Sequence, residues 1–360
     1  GVTCALAALC YAEFAAMIPV AGSAYTYSYA TLGEFLAWLT GWNLILEYGV
    51  ACVAVAIGWS GYFNNILKLC GFELPYWATH PPGADGGIAN IPAAVIVLLV
   101  TGILIVGVKE SARATCGIVL VKLAVIVFFI AVGTSSVDMA NWSPFMPFGF
   151  AGVGAAAAIV FFAYIGFDAV STTAEEAKNP QRDLPIGIFA SLGICTLLYI
   201  AVAAVLTGLV PFSRIDIHAP VAEGLRLAGF KWGAAIVAVG AVAGITSVLV
   251  VMMLGQIRVF FAMSRDGLLG PWLSGVHPKF RTPHHATYLT GIAVAIMAAL
   301  IPIGEAADMT NIGTLFAFVL VCIGIIVLRY TNPNHPRPFR MPFMPVIPLL
   351  GVLACLGLMY

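Results

Sequence analysis

Four ionisable residues stand within long apolar runs, and they carry most of the chemistry this sequence could offer. Asp168 follows Phe161-Phe162-Ala163-Tyr164-Ile165-Gly166-Phe167 in the apolar stretch 150–176, at mid-membrane depth if that stretch spans from 150. Lys122 lies in GIVLVKLAVIVFFIAVG, with no acid within a helical turn. Glu47 lies in WNLILEYGVACVAVAIGW, and Glu13 in YAEFAAMIP at the end of the first run. A charge at lipid depth is expensive, so its presence there points to a substrate path, a proton relay or a buried partner.

Asp168 is the most informative of the four. Gly166 costs about 1 kcal/mol in a helix interior. An ionisable residue two positions later makes a continuous helix a poor solution. A discontinuous helix solves the problem. Its first half ends near Phe162, the chain unwinds over Ala163 to Gly166, and a second half starts near Asp168. Asp168 then caps that second half by accepting from its free N–H groups. The freed carbonyls of Phe162, Ala163 and Ile165 can accept from an ammonium, as unwound segments at the midplane of a bilayer do. Gly166 and Phe167 complete this candidate binding stretch. A glycine-kinked helix packed on a neighbour, with Asp168 near an interface, is the competing reading.

Lys122 either titrates, pairs with a group on another helix, or snorkels toward Arg113. Glu47 is either protonated or held by a partner helix, with a proton-linked role as the functional reading. Glu13 reads as an interfacial or gating residue at the cytoplasmic end. Met252 and Met253 are the only adjacent methionines. They either fill core gaps or line a pocket.

The elements that must position these groups follow from composition. Of the 360 residues, 61% are hydrophobic and 9% charged, against about 25% charged in soluble domains. Sixteen basic and sixteen acidic residues cancel, which removes the electrostatic case for nucleic acid. Apolar runs occur near 1–21, 33–66, 91–107, 113–134, 150–176, 185–209, 232–262, 285–303, 307–328 and 346–360. A bilayer core takes about 20 apolar residues as helix, and backbone groups in lipid must pair internally. The expectation is an all-α membrane protein forming a single transmembrane domain over 1–360. The chain opens and closes inside apolar runs, so a first and a last helix are expected beyond it.

Lys109, Arg113, Lys178, Arg182, Arg258, Arg265, Lys279, Arg281, Arg329, Arg337 and Arg340 fall on one side of this pattern. Lys68, Arg214, Arg226 and Lys231 fall on the other. The richer side is cytoplasmic by the positive-inside rule. That places 67–90 outside and the proline-rich connector Asn332 to Pro348 inside. Eight scattered cysteines form no C-x-x-C pair and read as buried thiols. All six histidines lie in loops or at helix ends, so neither a metal site nor a nucleophile–base pair is expected.

FFAYIGFDAVSTTAEEAKNPQRDLPIGI resembles the central helix and following loop of the amino acid–polyamine–organocation (APC) superfamily, above all its cationic amino acid transporter branch and bacterial relatives. Tyr11-Ala12-Glu13 with Pro19, Gly22, Tyr25 and Tyr27, then Ser264-Arg265-Asp266-Gly267 after Arg258, then Thr310-Asn311-Ile312-Gly313-Thr314, match in the same order. The resemblance implies the LeuT-type fold of two inverted five-helix repeats, with helices two to eleven of an expected twelve visible. It implies a secondary transporter of small neutral L-amino acids such as alanine, in the plasma (inner) membrane. A proton is the coupling ion, and no cofactor is expected. Lys122 would replace the cation that sodium-coupled members hold, and Met252 would limit pocket depth. A cationic amino acid transporter, an exchanger and a non-transporting membrane subunit stay open, and no partner chain is specified. Against the subunit reading stand the costly Lys122, Glu47 and Asp168.

Overall fold

The computed structural model describes residues 1–18, 23–83, 86–107 and 112–359, without the side chains at 112–116, 172, 173, 175, 176, 303 and 305–310. Pro19, Gly22 and Lys109, and the side chains of Arg113, Glu175, Glu176 and Thr310, therefore lie outside the described residues. The described residues form helices and loops, with no strand among them. In chain order the α-helices are α1 (Val2–Met17), α2 (Ser23–Leu32), α3 (Glu34–Leu69), α4 (Ile91–Val106), α5 (Ala112–Thr134) and α6 (Gly149–Val160). They continue as α7 (Pro180–Leu209), α8 (Pro220–Leu227), α9 (Lys231–Arg265), α10 (His284–Leu300), α11 (Ile303–Thr331) and α12 (Val346–Met359).

Six of the helical stretches are long and apolar enough to cross a membrane, and α1, α4, α10 and α12 are shorter apolar helices. Every apolar run of the sequence maps onto a helix, with one exception: 150–176 is not continuous. Two helices fall outside the runs. In α2, SAYTYSYATL is too short and too polar to register as a membrane run. In α8, PVAEGLRL is a two-turn amphipathic piece on the connection between α7 and α9. Leu98, Leu120, Leu197, Ile200 and Leu353 are exposed on helix surfaces, which suits lipid contact.

The most extensive packing joins α3 to α9. Small residues make it possible. A Cβ at Gly49 would lie 3.0 Å from Gln256 Nε2, and Gly41 lies against Met263. In lipid such glycines let backbones approach, and van der Waals packing then holds the helices. Trp59 Nε1 adds a 2.9 Å hydrogen bond to Thr246 of α9. A second pair, α4 with α10, closes over Gly291 and Thr101. Asn90 starts α4 by accepting from Ala93 N–H at 3.2 Å, and Ser60 of α3 donates to the same amide oxygen at 2.7 Å. Around this four-helix frame lie α1, α6 and α7, with α1 packed mainly on α7.

Candidate functional site

Helix α6 stops at Val160, tightens into a 3₁₀ turn over Phe161–Tyr164, and then breaks. Ile165 is extended (φ −59°, ψ 134°) and Gly166 takes φ +115°. No other residue type adopts that φ readily. A Cβ at Gly166 would meet nothing within 4 Å, so backbone conformation, not crowding, selects glycine here. The chain resumes as a 3₁₀ helix over Asp168–Glu176. The kinked continuous helix is thereby excluded.

The details of the break differ from the expectation in three ways. First, the second half is a 3₁₀ helix, not an α-helix. Second, Asp168 is not the N-cap residue, which is Phe167, and its carboxylate reaches back to the Gly166 N–H as well as forward to the Ala169 N–H that opens the second half. Its carboxylate, fully buried, accepts from Gly166 N–H at 3.2 Å and from the Tyr48 hydroxyl at 2.7 Å. Asp168 thus holds the break itself and ties it to α3. Third, two of the three expected free carbonyls have partners. Ile165 N–H donates to Phe162 O at 3.2 Å, and the Tyr199 hydroxyl donates to Ala163 O at 2.6 Å. The Ile165 carbonyl is left without such a bond among the described residues. Asn311 of α11 steadies the first half by donating to Ala158 O at 3.0 Å and Ile159 O at 3.3 Å.

One side of the break is filled by rings. Phe167, only 6% exposed, meets Tyr11 edge-on at 5.8 Å and Phe318 at 5.2 Å, and Phe161 meets Phe318 at 5.7 Å. The other side faces a cavity of about 310 Å³, whose lining includes Ala163, Ile165, Gly166, Phe167, Met252 and Lys122. Among the described residues Lys122 is the single charged side chain in that lining, and no carboxylate joins it. The wall is otherwise largely aliphatic, from α5, α7 and α9.

Lys122 points from α5 to α9, where its Nζ donates to Ser247 Oγ at 2.7 Å. Its stem lies across Gly244, whose missing Cβ would sit 2.9 Å from the lysine Cδ. The lysine therefore bridges two helices at the cavity edge and does not snorkel. Among the described residues no carboxylate forms an ion pair with it. Glu47 is fully buried on α3, one residue before Tyr48. Neither of its oxygens makes a hydrogen bond within the standard geometry, with Thr314 of α11 alongside. It lies close enough to Asp168 for the two carboxyl groups to sense each other's charge. Glu47 and Lys122 do not meet. Met252 is 6% exposed and belongs to the cavity wall, and Met253 is sealed in the core, so the pair divides between the two readings. Glu13 lies elsewhere, fully buried against Arg329.

Sequence reasoning missed Tyr48, Tyr199, Asn311 and Ser247 as partners of the site. Each is a polar residue inside an apolar run, which is a signal, but long-range pairing across 36 to 153 residues left no local trace. Among the described residues, no cluster of three or more His, Cys, Asp or Glu is placed to hold a metal, and the described cysteines are free thiols.

A broken, glycine-hinged helix thus faces an aliphatic cavity edged by the half-buried Lys122, and sequence comparison says which family shares this chain's pattern. The pattern of the family described as amino acid permease matches residues 1–360. This chain belongs to that family. The permease is 52% identical over 359 residues to the branched-chain amino acid permease BcaP of Bacillus subtilis (strain 168), covering 99% of this chain and 77% of that one. It is 51% identical over 361 residues to the methylthioribose transporter of the same organism, covering 100% and 78%. It is 39% identical over 343 residues to the vacuolar cationic amino acid transporter 4 of Arabidopsis thaliana, covering 93% and 57%. The permease is thus a multi-pass membrane protein of a transporter family, as the APC resemblance implied.

Proposed function

We propose that this permease carries neutral aliphatic L-amino acids across the plasma membrane by proton symport, within a LeuT-type inverted-repeat bundle. The observation that carries the reading is the cavity at the break. Among the described residues it offers an unpaired main-chain oxygen at Ile165, an aliphatic wall ending at Met252, and one cation with no anion. At about 310 Å³ it stands at the small end of ligand pockets, roughly 300–1,000 Å³. The substrate ammonium binds the Ile165 carbonyl, and its side chain packs on the aliphatic wall toward Met252. A cationic side chain finds no carboxylate there, which disfavours arginine and lysine. Alanine fits the site, and the relative named for branched-chain substrates extends the range to valine, leucine and isoleucine.

Lys122 is the proton-linked group. Bonded to Ser247 between α5 and α9, it supplies the positive charge that sodium supplies in related carriers, and Glu47 is the second proton-carrying site beside Asp168. The moving body contains 150–176 and the frame contains 33–66 and 232–262, so that rocking of one on the other alternates access.

The test is uptake by the full-length permease in liposomes, with labelled alanine, valine, leucine, arginine and methylthioribose, with and without an inward proton gradient. Gradient-driven accumulation of the aliphatic amino acids, with arginine at background, is expected. Methylthioribose uptake alone would overturn the substrate class. Uptake that requires internal amino acid and ignores the gradient would replace symport by exchange.

A further inference from the structure

The proline-rich connector after α11 is bound to α1 more tightly than a linker needs to be. Glu13, fully buried, accepts from Arg329 Nε at 2.7 Å and Arg329 Nη2 at 2.6 Å, and from Met341 N–H at 2.8 Å. Arg337 Nε stands 3.4 Å from the same carboxylate. Arg329 Nη2 also donates to Met341 O at 3.1 Å. Arg337 turns back onto the end of α11, donating to Asn332 O at 2.7 Å, Leu328 O at 3.3 Å and Pro333 O at 2.9 Å. It adds side-chain donors to carbonyls at and just beyond the end of α11, where helical bonding runs out. The arginine side chains are 14% and 4% exposed. Next to this cluster, Cys10 Sγ of α1 lies 3.8 Å from Met341 Sδ.

We propose that Glu13, Arg329 and Arg337 form a permanent cytoplasmic joint that keeps α1, the end of α11 and the connector together through the transport cycle, so that α1 pivots about this point and does not separate from it. The physical reason is the cost of opening. Parting a buried bidentate pair leaves an uncompensated charge on each side. A gate that parted them would meet that barrier on every turnover, and three donors converging on one carboxylate make it higher. Access to the cytoplasm must then open elsewhere around the bundle. Of the two expectations for Glu13, interfacial or gating, the proposal takes the first and makes Glu13 a fixed positioning residue. The inference rests on the transport reading above.

The neighbouring sulfur pair provides the test. Met341→Cys in the full-length permease, with Cys322→Ser because Cys322 also contacts Cys10, places two thiols across the joint. Diamide oxidation links them, and peptide mass mapping reads the yield. Leucine uptake in liposomes by the linked protein is expected to equal that of the reduced protein within twofold. Loss of uptake on linking, restored by dithiothreitol, would overturn the joint. Absence of uptake in the reduced protein and in the wild type would count against the transport reading instead. A second measurement does not depend on linking: spin labels at Ile18, which follows α1, and at the exposed Phe343 report the distance across the joint. An unchanged distance with and without saturating leucine is expected. A change beyond about one helical turn, ~5 Å, would refute the proposal.

Discussion

Glu13, Asp168 and Lys122, three ionisable residues within the apolar runs of this permease, are held in different ways. Glu13 is neutralised by guanidinium groups, and removing its charge leaves Arg329 buried without a partner, which costs about 3–5 kcal/mol in comparable pairs. Asp168 is held by donors, the Tyr48 hydroxyl and the Gly166 N–H. Lys122 has a single hydroxyl partner and an adjacent cavity. A group so lightly held is the one whose protonation the protein can change at small structural cost. Lys122→Ala is therefore expected to leave leucine binding measurable by thermal shift while abolishing the response of uptake to a pH gradient. Uptake by the variant that still follows external pH would remove Lys122 from coupling. The lysine was visible in the sequence as an isolated charge in an apolar run. Its partner was not, because Ser247 lies 125 residues away on a helix whose facing register only packing defines.

At the scale of the element, the broken helix is the feature the sequence foretold best. Gly166 followed by Asp168 in an apolar span allowed few other solutions, and the break falls at Ile165–Gly166, inside the expected Ala163–Gly166. The chemistry of the break was less legible. A carbonyl freed from a helix looks unpaired from sequence, yet tertiary donors reach in: Tyr199 takes Ala163 O and Asn311 takes Ala158 O and Ile159 O. Short polar helices such as α2 were also missed, since neither apolar length nor periodicity marks them. Gly166→Ala forces a non-glycine residue to φ +115°, at a cost of at least about 1–2 kcal/mol, so the break must strain or shift. Uptake of leucine is expected to fall tenfold or more while the folded protein persists in size-exclusion chromatography. Wild-type uptake by this variant would show that the Gly166 conformation is dispensable.

At the scale of the whole molecule, α3, α4, α9 and α10 form a frame sewn by small residues, and the broken helix sits between that frame and α7. In the proposed mechanism, Lys122 at the frame edge and the Ile165 carbonyl on the broken segment split the site between two bodies. Rocking one against the other then changes binding and coupling together. The long apolar helices were legible because lipid demands long apolar runs. Which helices pack together was not, because glycine contacts such as Gly49 on Gln256 and Gly244 on Lys122 are made by residues without side chains. The most direct measurement is an experimental structure of the full-length permease with L-leucine bound. The account predicts the substrate ammonium within about 2.7–3.2 Å of the Ile165 carbonyl oxygen and the isobutyl group against Met252. Leucine found away from residues 163–167, with the Ile165 carbonyl bonded to another helix, would contradict it.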